Sequence, residues 1–101
     1  MQECNQRNEN GLRHGYWEQY YENGGRHYKG YYINGQEDGY WESYYSTGGR
    51  HYKGYYINGQ EDGYWELYTP KGNLINKGKY LKGKMVGYWI KSNKEYYYAR
   101  M

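Results

Sequence analysis

Residues Gly39 to Asp62 read GYWESYYSTGGRHYKGYYINGQED, and the stretch before them, Gly15 to Asp38, reads GYWEQYYENGGRHYKGYYINGQED. The two differ only at Gln19/Ser43, Glu22/Ser46 and Asn23/Thr47, so the chain carries a repeat of 24 residues. The period continues more loosely through Gly63 to Val86, where Gly63, Tyr64, Trp65, Glu66, Tyr68, Gly72, Lys77, Gly78, Tyr80 and Gly83 take equivalent positions, and it restarts at Gly87-Tyr88-Trp89. A fixed period of this size marks a repeat architecture, in which each unit buries its apolar side only against its neighbours. The divisions that follow are a capping segment at 1–14, repeats at 15–38, 39–62 and 63–86, and a partial repeat with a C-terminal cap at 87–101, all within one domain.

Each unit contains two aromatic, β-prone runs. In the first these are Tyr16 to Tyr21 and His27 to Ile33, separated by Asn23-Gly24-Gly25 and followed by Asn34-Gly35. Asn-Gly between such runs is a strong hairpin signal, because both turn positions tolerate positive φ. Helix is disfavoured, since glycine recurs too often and no window carries apolar residues at 3.6 spacing. The expected fold is all-β: an elongated, twisted antiparallel sheet of tandem 24-residue hairpin repeats.

Strand parity assigns the faces. Tyr28, Gly30 and Tyr32 point one way and His27, Lys29 and Tyr31 the other, with the same pattern at Tyr52, Gly54 and Tyr56. A glycine between two tyrosines leaves a hollow on its face, and Trp17 or Trp41 from an adjacent strand is the expected occupant of the one at Gly30. In the other strand Gln19, Ser43 and Leu67 share one slot, so a bulge is expected near it. The tryptophans Trp17, Trp41, Trp65 and Trp89 should form a ladder interleaved with tyrosines, stepping by ~10 Å.

The composition agrees with such a sheet. Among 101 residues there are 19 Tyr, 4 Trp and 16 Gly but no Phe, which predicts rings half covered on accessible faces rather than a thick closed core. After Pro70 the aliphatics Leu74, Ile75, Leu81, Met85, Val86 and Ile90 suggest a better-packed end that closes one edge. A net charge of +3 from interspersed residues does not argue for nucleic acid. The single Cys4 permits no internal disulfide, and the opening MQECNQRNENG has no apolar run, so a cytoplasmic location is the expectation.

The unit G-Y-W-E-x-Y-Y-x-x-G-G, followed by Gly-Tyr-Tyr and N-G-x-x-x-G, resembles the MORN repeat, and more closely its bacterial and viral variant. The resemblance runs from about Asn10 to Trp89 and departs from the commoner pattern in the doubled Tyr31-Tyr32 and Tyr55-Tyr56. It implies an elongated sheet of successive hairpins and a non-catalytic module engaged in protein–protein contacts or dimerisation. In some eukaryotic members it implies phospholipid attachment, and some bacterial relatives carry an antitoxin-like label.

Candidate binding residues on these grounds are Trp17, Tyr28, Tyr32, Trp41, Tyr52, Tyr56 and Trp65, with Arg26 and Arg50. Arg26-His27-Tyr28-Lys29 and Arg50-His51-Tyr52-Lys53 place cations among rings, a pattern suited to an anionic or planar ligand, although the favoured reading makes His27, Lys29, His51 and Lys53 a strand's solvent face, with Arg26 and Arg50 lying over neighbouring rings. Glu37-Asp38 and Glu61-Asp62, with His14 in the slot of Asp38, read as solvated loop charge rather than metal ligands, because copies ~10 Å apart cannot share an ion. Glu18, Glu42 and Glu66 have no nucleophile or second carboxylate at a matching spacing, and pairing with Lys29 or Lys53 across strands is expected. No phosphate loop, nucleophile elbow, CxxC pair or HExxH motif occurs. The expectation is a protein that is not an enzyme, needs no cofactor or metal, and binds another protein or a second copy of itself. The alternatives are a small ligand, glycan or phospholipid headgroup, or a structural role in a larger assembly.

Overall fold

The computed structural model describes residues 4–99. Its strands run in chain order: β1 (Gln6–Arg7), β2 (Arg13–Tyr20), β3 (Arg26–Ile33), β4 (Gln36–Tyr44), β5 (Arg50–Ile57), β6 (Gln60–Glu61), β7 (Gly63–Tyr68), β8 (Leu74–Leu81), β9 (Lys84–Lys91) and β10 (Lys94–Tyr98). All belong to one open antiparallel sheet in the order β1-β2-β3-β4-β5-β7-β8-β9-β10, with β6 also on β5 as the detached start of β7. The sheet is therefore a meander without crossovers. Its principal extents are 44 × 34 × 20 Å. The radius of gyration, 15.2 Å, exceeds the ~13 Å of a compact domain of this length.

Two kinds of turn alternate along the meander. Asn34-Gly35 joins β3 to β4 with φ of 48° and 83°, the both-positive pair of a type I′ turn. Asn58-Gly59 repeats it, and Lys82-Gly83 and Ser92-Asn93 take the same conformation. What sequence reads as the connection between units is thus itself a hairpin turn. At the opposite margin five-residue turns close with Tyr21 N donating to Gly25 O, and their counterparts do the same from Tyr45 to Gly49 and from Thr69 to Asn73.

The register places Trp17 and Trp41 on either side of Gly30, and Trp41 and Trp65 on either side of Gly54. Pairing slips between Gln19 and Tyr20, Ser43 and Tyr44, and Leu67 and Tyr68, at the slot where a bulge is expected. A lone sheet has no second layer to cover its apolar side. Here the indoles supply that layer: among the described residues the buried large apolar side chains are Trp17, Trp41, Trp65 and Trp89, at 2–8% exposure.

The C-terminal end is not better packed. Among the described residues, Trp89 is its one buried apolar side chain, while Tyr88, Ile90, Tyr96 and Tyr97 are exposed. The aliphatics there, Leu74, Ile75, Leu81, Met85 and Val86, are only half-buried on a single-layer sheet, and Ile90 is exposed. The last two residues of the expected terminal strand, Arg100 and Met101, lie outside the described residues.

Candidate functional site

One side of the sheet carries the tryptophans and is called here the indole face. A Cβ built on Gly30 would stand 2.1 Å from Trp41 Cδ2, with the same clash at Gly54 against Trp65 and 2.3 Å at Gly78 against Trp89. Each of these three indoles lies flat on the glycine of the preceding strand, so Trp41, not Trp17, fills the hollow at Gly30. The indole N–H donates to a carbonyl next to that glycine: Trp41 to Tyr31 at 3.0 Å, Trp65 to Tyr55 at 2.9 Å and Trp89 to Lys79 at 2.9 Å. The glycine is needed for close approach, and the bond satisfies the indole's only polar atom.

Tyrosines knit the indoles together. Tyr32 stands edge-on between Trp17 and Trp41, Tyr56 between Trp41 and Trp65, and Tyr80 between Trp65 and Trp89, with centroid separations of 4.9–6.0 Å and interplanar angles of 78–89°. Tyr28 lies nearly parallel to Trp41 at 5.3 Å, and Tyr52 to Trp65 at 5.5 Å. Such pairs contribute about 0.5–1.5 kcal/mol each beyond area burial. At the N-terminal end, Arg13 lies 4.4 Å over Trp17 and donates to the hydroxyls of Tyr28 at 2.8 Å and Tyr32 at 3.1 Å. Those partners, Tyr32 first, raise the guanidinium pKa. Arg13 and Arg7 end the ladder where Trp17 has no further glycine strand to lie on.

The opposite side is a phenol face. On each first strand of a unit a glutamate sits between two tyrosines two residues away, all pointing the same way. Tyr16 and Tyr20 donate to Glu18 at 2.5 Å each, Tyr40 at 2.6 Å and Tyr44 to Glu42, and Tyr64 at 3.1 Å and Tyr68 to Glu66. Lys29 pairs with Glu42 at 3.4 Å and Lys53 with Glu66 at 3.3 Å, the expected cross-strand pairing, and Arg26 approaches Glu18 at 3.9 Å. Burial pushes the Glu42 carboxyl up, but the two phenols and the Lys29 ammonium outweigh it and hold it at about 2. Glu66 is lowered by the same balance, and Glu18 chiefly by the hydrogen bond from Tyr16. A carboxylate with these partners is a fixed acceptor, not a proton donor near neutrality.

Of the sequence-predicted residues, Trp17, Tyr28, Tyr32, Trp41, Tyr52, Tyr56 and Trp65 come together on the indole face, the tryptophans buried and the tyrosines half-buried. Arg26 and Arg50 do not join them. The register slip pairs Arg26 with Tyr20 and Arg50 with Tyr44, which turns both arginines to the phenol face.

Sequence reasoning passed over the exposed rings of the phenol face: Tyr20, Tyr31, Tyr55, Tyr64 and Tyr88. The signal was present in the doubled Tyr31-Tyr32 and Tyr55-Tyr56, which by parity send one ring to each face. Tyr31 sits 5.2 Å from Tyr16 and Tyr55 5.2 Å from Tyr40. A hollow of ≈ 410 Å³ opens between Tyr16, Glu18, Lys29, Tyr31 and Tyr40.

The acidic loop residues fasten one turn to the next instead of only meeting solvent. Asp38 accepts from the Asn58 amide at 3.1 Å, Asp62 from the Lys82 amide at 3.1 Å, and His14 Nδ1 from the Asn34 amide at 3.3 Å. The turn glycines add lateral bonds, Gly35 N to Arg13 O and Gly59 N to Glu37 O. Among the described residues, no group of three or more His, Cys, Asp or Glu is placed to hold a metal ion, and no helix is long and apolar enough to cross a membrane.

No protein-family model matches the chain, and no curated protein matches it.

Proposed function

We propose that this chain is a non-catalytic MORN-type repeat module that binds another protein, or a second copy of itself, through the aromatic surface of its sheet. The observation that carries the reading is the row of exposed phenols on a face that no second layer covers, with Tyr31 at 43%, Tyr55 at 48% and Tyr88 at 68% exposure. Tyrosine is among the residues most enriched at binding hot spots, because a rigid ring buries much area at small entropic cost. Rings that recur once per unit offer a partner a repeated grip. Three cations of the same face are paired, Lys29 with Glu42, Lys53 with Glu66 and Arg26 with Glu18, which leaves less free charge for an anionic headgroup and favours a protein partner.

The test is scattering mass on a sizing column over a tenfold concentration range, for the wild type and for the double variant Tyr31→Ala/Tyr55→Ala. These two rings are better probes than Tyr32 and Tyr56, which wedge the tryptophan ladder and whose loss would loosen the fold. An oligomer that the double substitution returns to a 12.3 kDa monomer with unchanged circular dichroism supports self-association through the phenol face. An oligomer indifferent to the substitution moves the contact to the indole face or to the edge strand β10. A monomer at every concentration eliminates self-association.

A further inference from the structure

Position 76 breaks the aromatic pattern of the indole face. In the first two units Tyr28 and Tyr52 lie over the next tryptophan at interplanar angles of 26° and 27°. One period on, that slot holds Asn76, and Tyr80 is the sole ring partner of Trp89 among the described residues. An amide side chain is much smaller than a phenol, and Lys91, directly across from Asn76, donates to the Tyr98 hydroxyl and does not line the space. The consequence is a hollow of ≈ 250 Å³ lined by Trp65, Leu67, Asn76, Tyr80 and Trp89, with Tyr52, Tyr56 and Glu61 beside them.

We infer that this hollow is a binding site for a small monocyclic aromatic compound bearing a neutral hydrogen-bond donor, such as a simple phenol, which takes the place left by the missing tyrosine ring. The inference concerns the indole face and is independent of the protein-binding reading, which rests on the phenol face.

Size, shape and chemistry converge on that occupant. An apolar cavity of about 150 Å³ accommodates benzene, so ≈ 250 Å³ suits one substituted ring. Tyr52 on Trp65 beside Tyr56 shows, one unit earlier, how a phenol seats among the equivalent side chains. Asn76 offers an amide donor and acceptor, and Glu61, which faces Tyr56 across the strands, offers a carboxylate for a hydroxyl or amino donor. The same carboxylate repels an anionic substituent, so p-cresol should enter and 4-hydroxybenzoate should be disfavoured.

The experiment follows the four indole N–H resonances of the full chain in two-dimensional NMR during titration with p-cresol. Saturable shifts at Trp65 and Trp89, with Trp17 and Trp41 unmoved, are expected, with a Kd of about 1 mM or tighter for a ligand of this size. Asn76→Tyr restores the ring of the other units and should weaken binding at least tenfold, whereas Asn76→Ala leaves the hollow open, removes only the amide partner and should weaken binding less than Asn76→Tyr does. If Asn76→Tyr does not fold, Leu67→Phe narrows the hollow from the facing strand and should give the same loss. No saturable shift in the wild type, equal shifts at all four indoles, or undiminished binding in the filled variant would overturn the site. Binding of 4-hydroxybenzoate as tight as that of p-cresol would overturn the part assigned to Glu61.

Discussion

Replacing Gly54 by alanine tests the central packing device of the sheet. The added methyl would stand 2.1 Å from Cδ2 and 2.3 Å from Cε2 of Trp65. Reaching an ordinary contact distance of 3.4 Å requires the indole to retreat by about 1.3 Å, the difference between 3.4 and 2.1 Å. That movement stretches the 2.9 Å bond from Trp65 Nε1 to Tyr55 O and drives the ring into Tyr52, which lies nearly parallel to it, and toward Tyr56 and Tyr80 at its edges. Overpacking of this kind costs about 1–3 kcal/mol, and the weakened hydrogen bond about 1 kcal/mol more. Against this, alanine gains roughly 0.5–1 kcal/mol over glycine in a strand through the unfolded chain. The net expectation is a loss of about 1–3.5 kcal/mol, or roughly 5–25 °C in Tm for a chain of this size. Urea and thermal unfolding followed by far-UV circular dichroism and tryptophan emission measure it. The decisive comparison repeats the substitution in a Trp65→Leu background, where the methyl meets no indole and the coupling energy should exceed ~1.5 kcal/mol. A neutral or stabilising Gly54→Ala, or single effects that add within about 0.5 kcal/mol, would refute the idea that the indole lies on this glycine.

Further expectations concern charge and turns. The Glu42 carboxyl, held at about 2 against an ordinary value of 4.5, adds stability that is complete above about pH 4.5 and is lost as pH falls toward 2. Its share is at most ~3 kcal/mol, and Glu42→Gln should remove that part of the acid dependence in unfolding curves taken at several pH values. Tyr16, Tyr40 and Tyr56 have pKa values raised first by burial, with Glu42 adding to the effect at Tyr40. Groups raised in this way stabilise the fold below their unfolded pKa of about 10 and cease to as pH climbs above it. Spectrophotometric titration should therefore find a late-ionising tyrosine class, diminished in Tyr40→Phe. Asp62→Ala deletes the acceptor for the Lys82 amide, a bond worth about 0.5–1.5 kcal/mol. It should speed hydrogen exchange at Lys82 several-fold while leaving that of Asn58, capped by Asp38, unchanged.

The 24-residue period and the Asn-Gly pairs determine, without coordinates, that this chain is a run of antiparallel strands. Turn chemistry is local: Asn34-Gly35 and Asn58-Gly59 take positive φ because of what they are, not because of what surrounds them. The side-chain period of two is equally local, so parity alone sends Tyr28, Gly30 and Tyr32 to one side and Tyr31 to the other. Parity does not say which way a ring leans along the sheet. Trp17 and Trp41 both stand opposite Gly30 in register, and only the folded sheet shows that Trp41 covers it, since its indole reaches the Tyr31 carbonyl beside that glycine. Nor does parity survive a bulge: the slips beside Gln19 and Ser43 carry Arg26 and Arg50 to the phenol face, away from the rings with which the sequence groups them. The fastening of turns by His14, Asp38 and Asp62 spans 20 residues in each case, and no pattern within a single strand or turn encodes it. The exchange of tyrosine for asparagine at 76 is plain in the alignment of units, but that it leaves a hollow rather than a refilled contact is decided by the neighbouring side chains in the folded sheet. The sequence therefore determines the elements, the turns and the two faces, because those follow from bonded geometry over a few residues. The tertiary structure decides who covers whom, because that depends on side-chain directions and register across strands that the local pattern leaves open.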